Sequence, residues 1–311
     1  MTKVAPQTDP GREARLGVIC GLAAYLVWGF FPIFFKLVDH VPPLEVVAHR
    51  VVWSMVFLSV LATVKGRWGD IRAAFRTKRT LATLCCTTVL IATNWLVFIY
   101  AIGKGEVLQS SLGYFMTPLV NIVLGYVFLH ERMQRWQLVG VLLAVVGLAL
   151  SAIRLGTIPW IALVLAATFG LYGLLRKTVP VDSLVGLSVE TFLAGPAAAI
   201  YLVLLGVAGR GTFLAGSMGD SAVLFLSGVV TAIPLLIFTA ATKRLRLMTI
   251  GFLQYITPSI HFLLAVCVYR EEFTASHLIT FLCVWCGLAV YSWCTISLAR
   301  KLPVGVEAAA E

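Results

Sequence analysis

YFMTPLVNIVLGYVFLHERMQRWQLVGVLLAVVGLAL (residues 114–150) and QYITPSIHFLLAVCVYREEFTASHLITFLCVWCGLAV (residues 254–290) align without a gap at an offset of 140. Thr117–Pro118 falls on Thr257–Pro258, Glu131 on Glu271, and Gly147–Leu148–Ala149 on Gly287–Leu288–Ala289. Each stretch is two apolar segments joined by a polar turn, so the chain carries one hydrophobic unit twice. Repetition of this kind in a membrane chain points to a carrier whose site lies between the repeats.

The rest of the chain has the composition that such a reading needs. It is 60% hydrophobic and 12% charged, with a mean hydropathy of +0.95, whereas soluble domains average about half apolar and a quarter charged. A hydrocarbon core about 30 Å thick takes roughly 20 apolar residues per helix. That length divides the sequence into ten spans, at 17–37, 44–64, 81–101, 109–129, 137–154, 159–175, 184–206, 221–241, 249–269 and 277–298. The connections are short, the longest running from 65 to 80, and none has room for a soluble catalytic domain. The first span is too long for a signal-peptide core and leads at once into a second, so it reads as a retained helix.

Charge fixes the expected orientation. Ten spans put both tails and every second loop on one side, which holds eighteen of the 24 Lys and Arg residues. The other side holds Lys104, Arg154, Arg210 and Arg270, and Lys36 and Arg50 lie inside spans. This positive-inside bias places both termini in the cytoplasm and accounts for the net charge of +10 without nucleic acid as a partner. Five spans per half is an odd number, so the second half enters the membrane from the opposite face. The expected organisation is a cytoplasmic tail (1–15), a five-helix repeat (16–155), an inverted five-helix repeat (156–299) and a second cytoplasmic tail (300–311). A shorter match at an offset of 141 sets Trp28–Gly29 beside Phe169–Gly170, Lys36 on Lys177, and His49 on Glu190.

Several of these residues carry a resemblance. Tyr25-x-x-Trp28-Gly29-x-x-Pro32, the two Thr-Pro helices each ending near a Glu, and the paired halves resemble the drug/metabolite transporter superfamily and its EamA domains. Trp28-Gly29-Phe30-Phe31-Pro32-x-x-x-Lys36 followed by Glu45-x-x-x-His49-Arg50-x-x-Trp53-Ser54 is similar to the RarD group, known as chloramphenicol-sensitive proteins. The resemblance covers 16–300. It implies a carrier of the bacterial inner membrane, exporting a small solute from a cavity lined by spans 1, 3, 4, 6, 8 and 9.

Polar groups inside spans are the candidate chemistry. A charge at mid-helix costs about 2.5–3.5 kcal/mol on insertion scales, so such groups are functional candidates by default. Arg50 lies two turns into the second span, and its planar fork suits a carboxylate or phosphate of a substrate. The competing reading has Arg50 snorkelling outward with Glu45 neutralising it. His49 and Glu190 sit near opposite mouths and are candidates for proton coupling, although Glu190 is also placed to pair with Arg176 or Lys177. Asn94 and Tyr100 in the third span, Gln109 and Tyr114 in the fourth, and Gln254 and Tyr255 in the ninth need partners away from lipid. Together with Trp28 and Arg50 they form the candidate substrate-binding set. Pro32, Pro118, Pro234 and Pro258 remove backbone donors inside spans and are candidate kinks for gating.

Other features read as structural. Lys36 anchors the outer end of the first span. Glu131 and Glu271 complement the positive N-terminus of the helix that follows each. Cys283 and Cys286 have redox spacing but lie within a helix without a second pair, so no metal is expected. Gly140, Gly147 and Gly287 allow close helix contact and are compatible with a monomer or a homodimer.

No Walker loop, His-Glu-x-x-His or aspartate-rich metal motif is present. The sequence therefore describes an all-α polytopic membrane protein, not an enzyme. Its expected partners are a small-molecule substrate and the lipid bilayer, with no cofactor. A pore-forming channel stays open as an alternative, as does a membrane-embedded enzyme built on Glu45, His49 and Arg50.

Overall fold

A peptide group left unpaired in hydrocarbon costs several kcal/mol, which leaves an isolated apolar segment only the helix as a way across. The computed structural model describes residues 10–128, 135–155, 158–245 and 247–275, with 277–279, 281–283, 285–287, 289, 290 and 293 beyond them. Every regular element among these residues is helical. In order they are α1 (Pro10–Gly29), α2 (Phe31–Lys36), α3 (Pro43–Val64), α4 (Trp68–Arg76), α5 (Lys78–Lys104) and α6 (Val107–Phe128). There follow α7 (Arg135–Leu155), α8 (Trp160–Thr178), α9 (Ser183–Val207), α10 (Met218–Arg244), α11 (Leu247–Gln254) and α12 (Ile256–Leu263), the last running into a π-helical turn at Leu264–Val268.

Seven helical segments are long and apolar enough to cross a bilayer, α1 and α2 counting as one. Three shorter apolar helices, Leu138–Gly147, Ile256–Val268 and His277–Gly287, fall in the three remaining spans. Among the described residues, each of the ten segments expected from hydropathy is thus represented by helix. Residues 1–9, Glu131 and the C-terminal tail lie outside the described residues.

The helix neighbours follow an exchange rule. When each span in the first half is swapped with its counterpart in the second, contacts map onto contacts. Helix α1 packs on α10 as α8 packs on α5, and α3 on α10 as α9 on α5. In the same way α6 packs on α8 as α11 and α12 pack on α1. Two contacts, α3 with α9 and α6 with α12, map onto themselves and so lie on the exchange axis. Small residues set the closest approaches. At Gly228 of α10 a methyl group would sit 2.4 Å from the Trp53 backbone of α3, and Ser54 Oγ there donates to Gly228 O at 2.8 Å. At Gly287 a methyl would meet Gly140 O at 2.6 Å, so the fifth and tenth spans touch through the small residues singled out from sequence.

Two features depart from the hydropathy reading. The connection 65–80 contains a helix, α4, that buries Ile71 and Ala74 and stacks Trp68 on Phe192 of α9 at 5.7 Å. Arg67 at its start bonds both Asp70 and Asp182, the N-cap of α9. Glu271 complements a helix N-terminus, but that of α6 instead of the segment following it: its two carboxylate oxygens accept Val107 N at 2.9 Å and Leu108 N at 2.8 Å. The first half of the chain is thereby tied to the second at the C-terminal end of the ninth span.

The prolines do not act alike. Pro118 and Pro234 sit inside helices that continue past them, α6 and α10. Pro258 follows a break at Tyr255 between α11 and α12, and Pro32 follows the break between α1 and α2.

Candidate functional site

A cavity opens where α1, α2, α3, α5, α6, α8, α10, α11 and α12 converge. Its lining includes Tyr25, Trp28, Arg50, Asn94, Trp95, Phe98, Tyr114, Phe169, Gln254 and His261. Its volume is about 40 Å³, enough for a few waters and too little for a metabolite.

Aromatic rings make most of the wall. Trp28 meets Phe169 edge-on at 5.6 Å and Phe238 at 5.2 Å. Trp28 and Phe169 are the pair aligned at the offset of 141, so the two copies of one position meet in the cavity wall. Tyr114 and Gln254, aligned at 140, also both line it.

Asn94 organises the polar side. Its Nδ2 donates to Leu165 O at 3.1 Å and Thr168 Oγ1 at 2.9 Å, while Tyr114 OH donates to its Oδ1 at 3.1 Å. One amide thereby joins the third, fourth and sixth spans. Opposite, Thr257 Oγ1 donates to Tyr25 O at 2.7 Å and pins the ninth span to the first.

Arg50 is 1% exposed. Its Nε donates to Thr231 Oγ1 at 2.9 Å, and its Cζ lies 4.6 Å from the Phe35 ring centre and 4.7 Å from that of Trp95. Nη1 has no hydrogen-bond partner among the described residues. Glu45 does not neutralise it, which corrects the snorkelling alternative. The Glu45 carboxylate instead accepts Thr212 N at 2.6 Å and Thr212 Oγ1 at 3.3 Å in the loop after α9. Cation–π contacts contribute about 0.5–2 kcal/mol each, whereas burying an ion costs several kcal/mol. The guanidinium is therefore held short of neutralisation, beside the cavity.

The remaining candidates separate by face. His49 Nδ1 accepts from Trp53 Nε1 at 3.2 Å and its ring lies 4.8 Å from Phe213, so it serves the α9–α10 loop and not the cavity. Glu45, His49 and Arg50 thus point to three different neighbours, and no convergent acid–histidine pair forms among them. Glu190 accepts Thr87 Oγ1 at 2.6 Å and lies 3.7 Å from Arg176 Nε; both partners of this ion pair are buried. Tyr172 OH donates to its other oxygen at 3.4 Å. Tyr100, 37% exposed, packs on Trp160 at 5.8 Å outside the cavity. Gln109 Nε2 donates to Glu106 at 2.8 Å, and Tyr255 stacks on Phe115 at 6.4 Å. Lys36 pairs with Asp39 at 2.9 Å.

Sequence reasoning passed over one lining residue of consequence, His261. Its Nε2 lies 3.0 Å from Trp28 O. A carbonyl oxygen only accepts, so Nε2 carries the proton, and in the neutral ring Nδ1 is an acceptor; it has no partner among the described residues. An ionisable residue inside a span is the signal that finds it. Arg176, counted from sequence among loop cations, is likewise buried.

Comparison with known proteins places this geometry. The family model of the EamA-like transporter family matches residues 15–153. Protein RarD of Escherichia coli K12 is 42% identical over 290 residues, covering 93% of this chain and 98% of that protein. An uncharacterized transporter of Vibrio cholerae is 42% identical over 92% of this chain and 94% of its own length. Chloramphenicol-sensitive protein RarD of Pseudomonas aeruginosa is 32% identical over 93% and 98%. A crystal structure at 16% identity superposes with a TM-score of 0.61, covering 93% of this chain and 98% of the solved one, and supports the fold. With the ten helical segments and the cavity between the paired sets of helices, these relationships make the chain a multi-pass bacterial membrane transporter that belongs to the RarD group of EamA-like proteins in the drug/metabolite transporter superfamily.

Proposed function

We propose that this protein is a secondary active carrier that moves one small organic solute at a time by alternating access. The two moving bodies would be 16–155 and 156–299, one inverted on the other, with both termini in the cytoplasm. The observation that carries the reading is a contracted cavity walled from both halves, by Trp28, Arg50, Asn94 and Tyr114 from the first and Phe169, Gln254 and His261 from the second. A channel needs a continuous lined pore, and a cavity of this size offers none.

The helix breaks before Pro32 and Pro258 flank the cavity and supply bending points on opposite halves. The cavity is complete within one chain, so the monomer suffices for transport. Export is the direction the family resemblance favours. For His49 and Glu190 we assign positioning roles instead of proton coupling, because each is engaged away from the cavity. Loss of proton dependence in Glu190→Gln with solute binding intact would reverse that assignment.

The decisive experiment is counterflow in proteoliposomes. Vesicles preloaded with unlabelled phenylalanine, chloramphenicol or 3-phenyllactate should accumulate the labelled form of the transported compound transiently and saturably. Chloramphenicol is included because a relative bears its name. Flux that is linear in concentration and shows no counterflow identifies a channel.

A further inference from the structure

Four buried polar atoms on the cavity residues lack a hydrogen-bond partner among the described residues: Arg50 Nη1, Gln254 Nε2, His261 Nδ1 and Tyr25 OH. All four residues are at most 2% exposed. The amide, phenol and imidazole are neutral, and water is enough to satisfy such groups. Water brings no charge, so Arg50 stays uncompensated. None of the lining residues is Asp or Glu, and the buried ion pair of Glu190 is spent on Arg176.

We propose that the solute is an organic monoanion: its carboxylate neutralises Arg50, a hydroxyl or amide N–H donates to His261 Nδ1, and an aromatic or branched apolar body lies against Trp28 and Phe98. The proposal rests on the carrier reading and specifies what is carried. The charges exclude two neighbouring classes. A cationic solute brings a second positive charge to a cavity without a carboxylate. A zwitterion places its ammonium in the same field, with only neutral acceptors to receive it. A neutral solute leaves the guanidinium as it was.

The same arrangement couples binding to closure. Arg50 is clasped by Thr231 of α10 and by the rings of Phe35 and Trp95, so neutralising it acts at once on helices of both halves.

The test uses purified full-length protein and four probes: 3-phenyllactate, 3-phenylpropionate, 3-phenyllactamide and 2-phenylethylamine. The wild type should bind phenyllactate at least tenfold more tightly than its amide, and the amine most weakly. Removing the hydroxyl, as in phenylpropionate, should weaken binding several-fold in the wild type and leave it unchanged in His261→Phe. Arg50→Gln should abolish the preference for acid over amide, and Arg50→Lys should keep part of it. Equal binding of acid and amide overturns the proposal, as does tighter binding of the amine or no binding of either acid up to its solubility limit. Persistence of the acid preference in a folded Arg50→Gln variant does the same. Should that variant not fold, the ranking of probes on the wild type decides alone. Counterflow with the same probes separates the two readings. Counterflow of amide or amine without acid sinks the anion and keeps the carrier. Acid binding without counterflow of any probe keeps the anion site and sinks the carrier.

Discussion

Asn94 makes three hydrogen bonds that bind three helices beside the cavity. Interhelical bonds in membranes average about 0.6 kcal/mol and reach about 1.7 kcal/mol. Asn94→Leu should therefore lower stability by about 2 kcal/mol, and Tyr114→Phe, which removes one of the three bonds, by about 0.6 kcal/mol. Thermal unfolding in detergent ranks them; equal losses would mean that only the shared bond matters. A sharper effect belongs to Gly186, where an added methyl would lie 1.7 Å from Arg176 Nη1. Gly186→Ala expels the guanidinium from its place beside Glu190, and breaking a buried pair costs about 3–5 kcal/mol. Gly173→Ala, with nothing within 4 Å of the new methyl, should change stability by less than about 1 kcal/mol. Periodicity and composition give depth in the membrane, not facing. That is why Asn94, Tyr114 and Gln254 line the cavity while Tyr100, Gln109 and Tyr255, equally polar and equally within spans, do not. His261 obeys the same rule that flags His49, and its role depends on the carbonyl of Trp28 more than two hundred positions away, which no local pattern contains.

At the scale of the element, the N-terminal end of α6 is closed by a residue from the other half of the chain. Burial pushes the Glu271 carboxyl above its ordinary value, opposed by the Leu108 and Val107 N–H groups; Glu106 nearby raises it and Lys36 lowers it. A carboxyl whose folded-state value exceeds the unfolded one contributes its full stability below the unfolded value and loses it as pH rises through the folded one. Melting curves of wild type and Glu271→Gln from pH 4 to 7 should show the wild type losing ground to the variant as pH rises. A difference that stays constant with pH would assign Glu271 a purely geometric capping role. The repeat made the importance of this Glu legible, since it is one of the few polar identities between the copies. Its partner was not, because the carboxylate reaches α6 and not the adjacent segment. The prolines teach the same lesson: Thr117–Pro118 and Thr257–Pro258 are identical dipeptides, yet only the second follows a broken helix. Thr117 Oγ1 bonds its own helix at Gly113 O, at 3.2 Å, whereas Thr257 Oγ1 bonds Tyr25 O of α1.

For the whole molecule, hydropathy alone was enough to place ten helices, because a lipid-spanning segment must be long, apolar and internally hydrogen-bonded. The exchange of neighbours between halves was foreshadowed by two alignment offsets, whose paired residues Trp28 and Phe169 meet at the cavity. What the sequence did not contain was the electrical asymmetry of that cavity, one buried cation without a carboxylate, since it arises from which of many polar residues face inward together. It has a consequence for the direction of flux. A solute that crosses as a monoanion, with no cation moving beside it, carries charge through the membrane potential. An inside-negative potential favours its exit by about 2.3 kcal/mol per 100 mV, equivalent to a roughly fifty-fold concentration ratio. Outward transport then needs no coupling ion. In proteoliposomes loaded with 3-phenyllactate, a potassium diffusion potential with valinomycin, negative inside, should accelerate efflux, and reversing its sign should retard it. A neutral solute carried by the same protein should be indifferent to both. Efflux of the acid that ignores the potential would mean that a proton or another cation travels with it, and the search for a coupling group would return to the buried pair of Glu190 and Arg176.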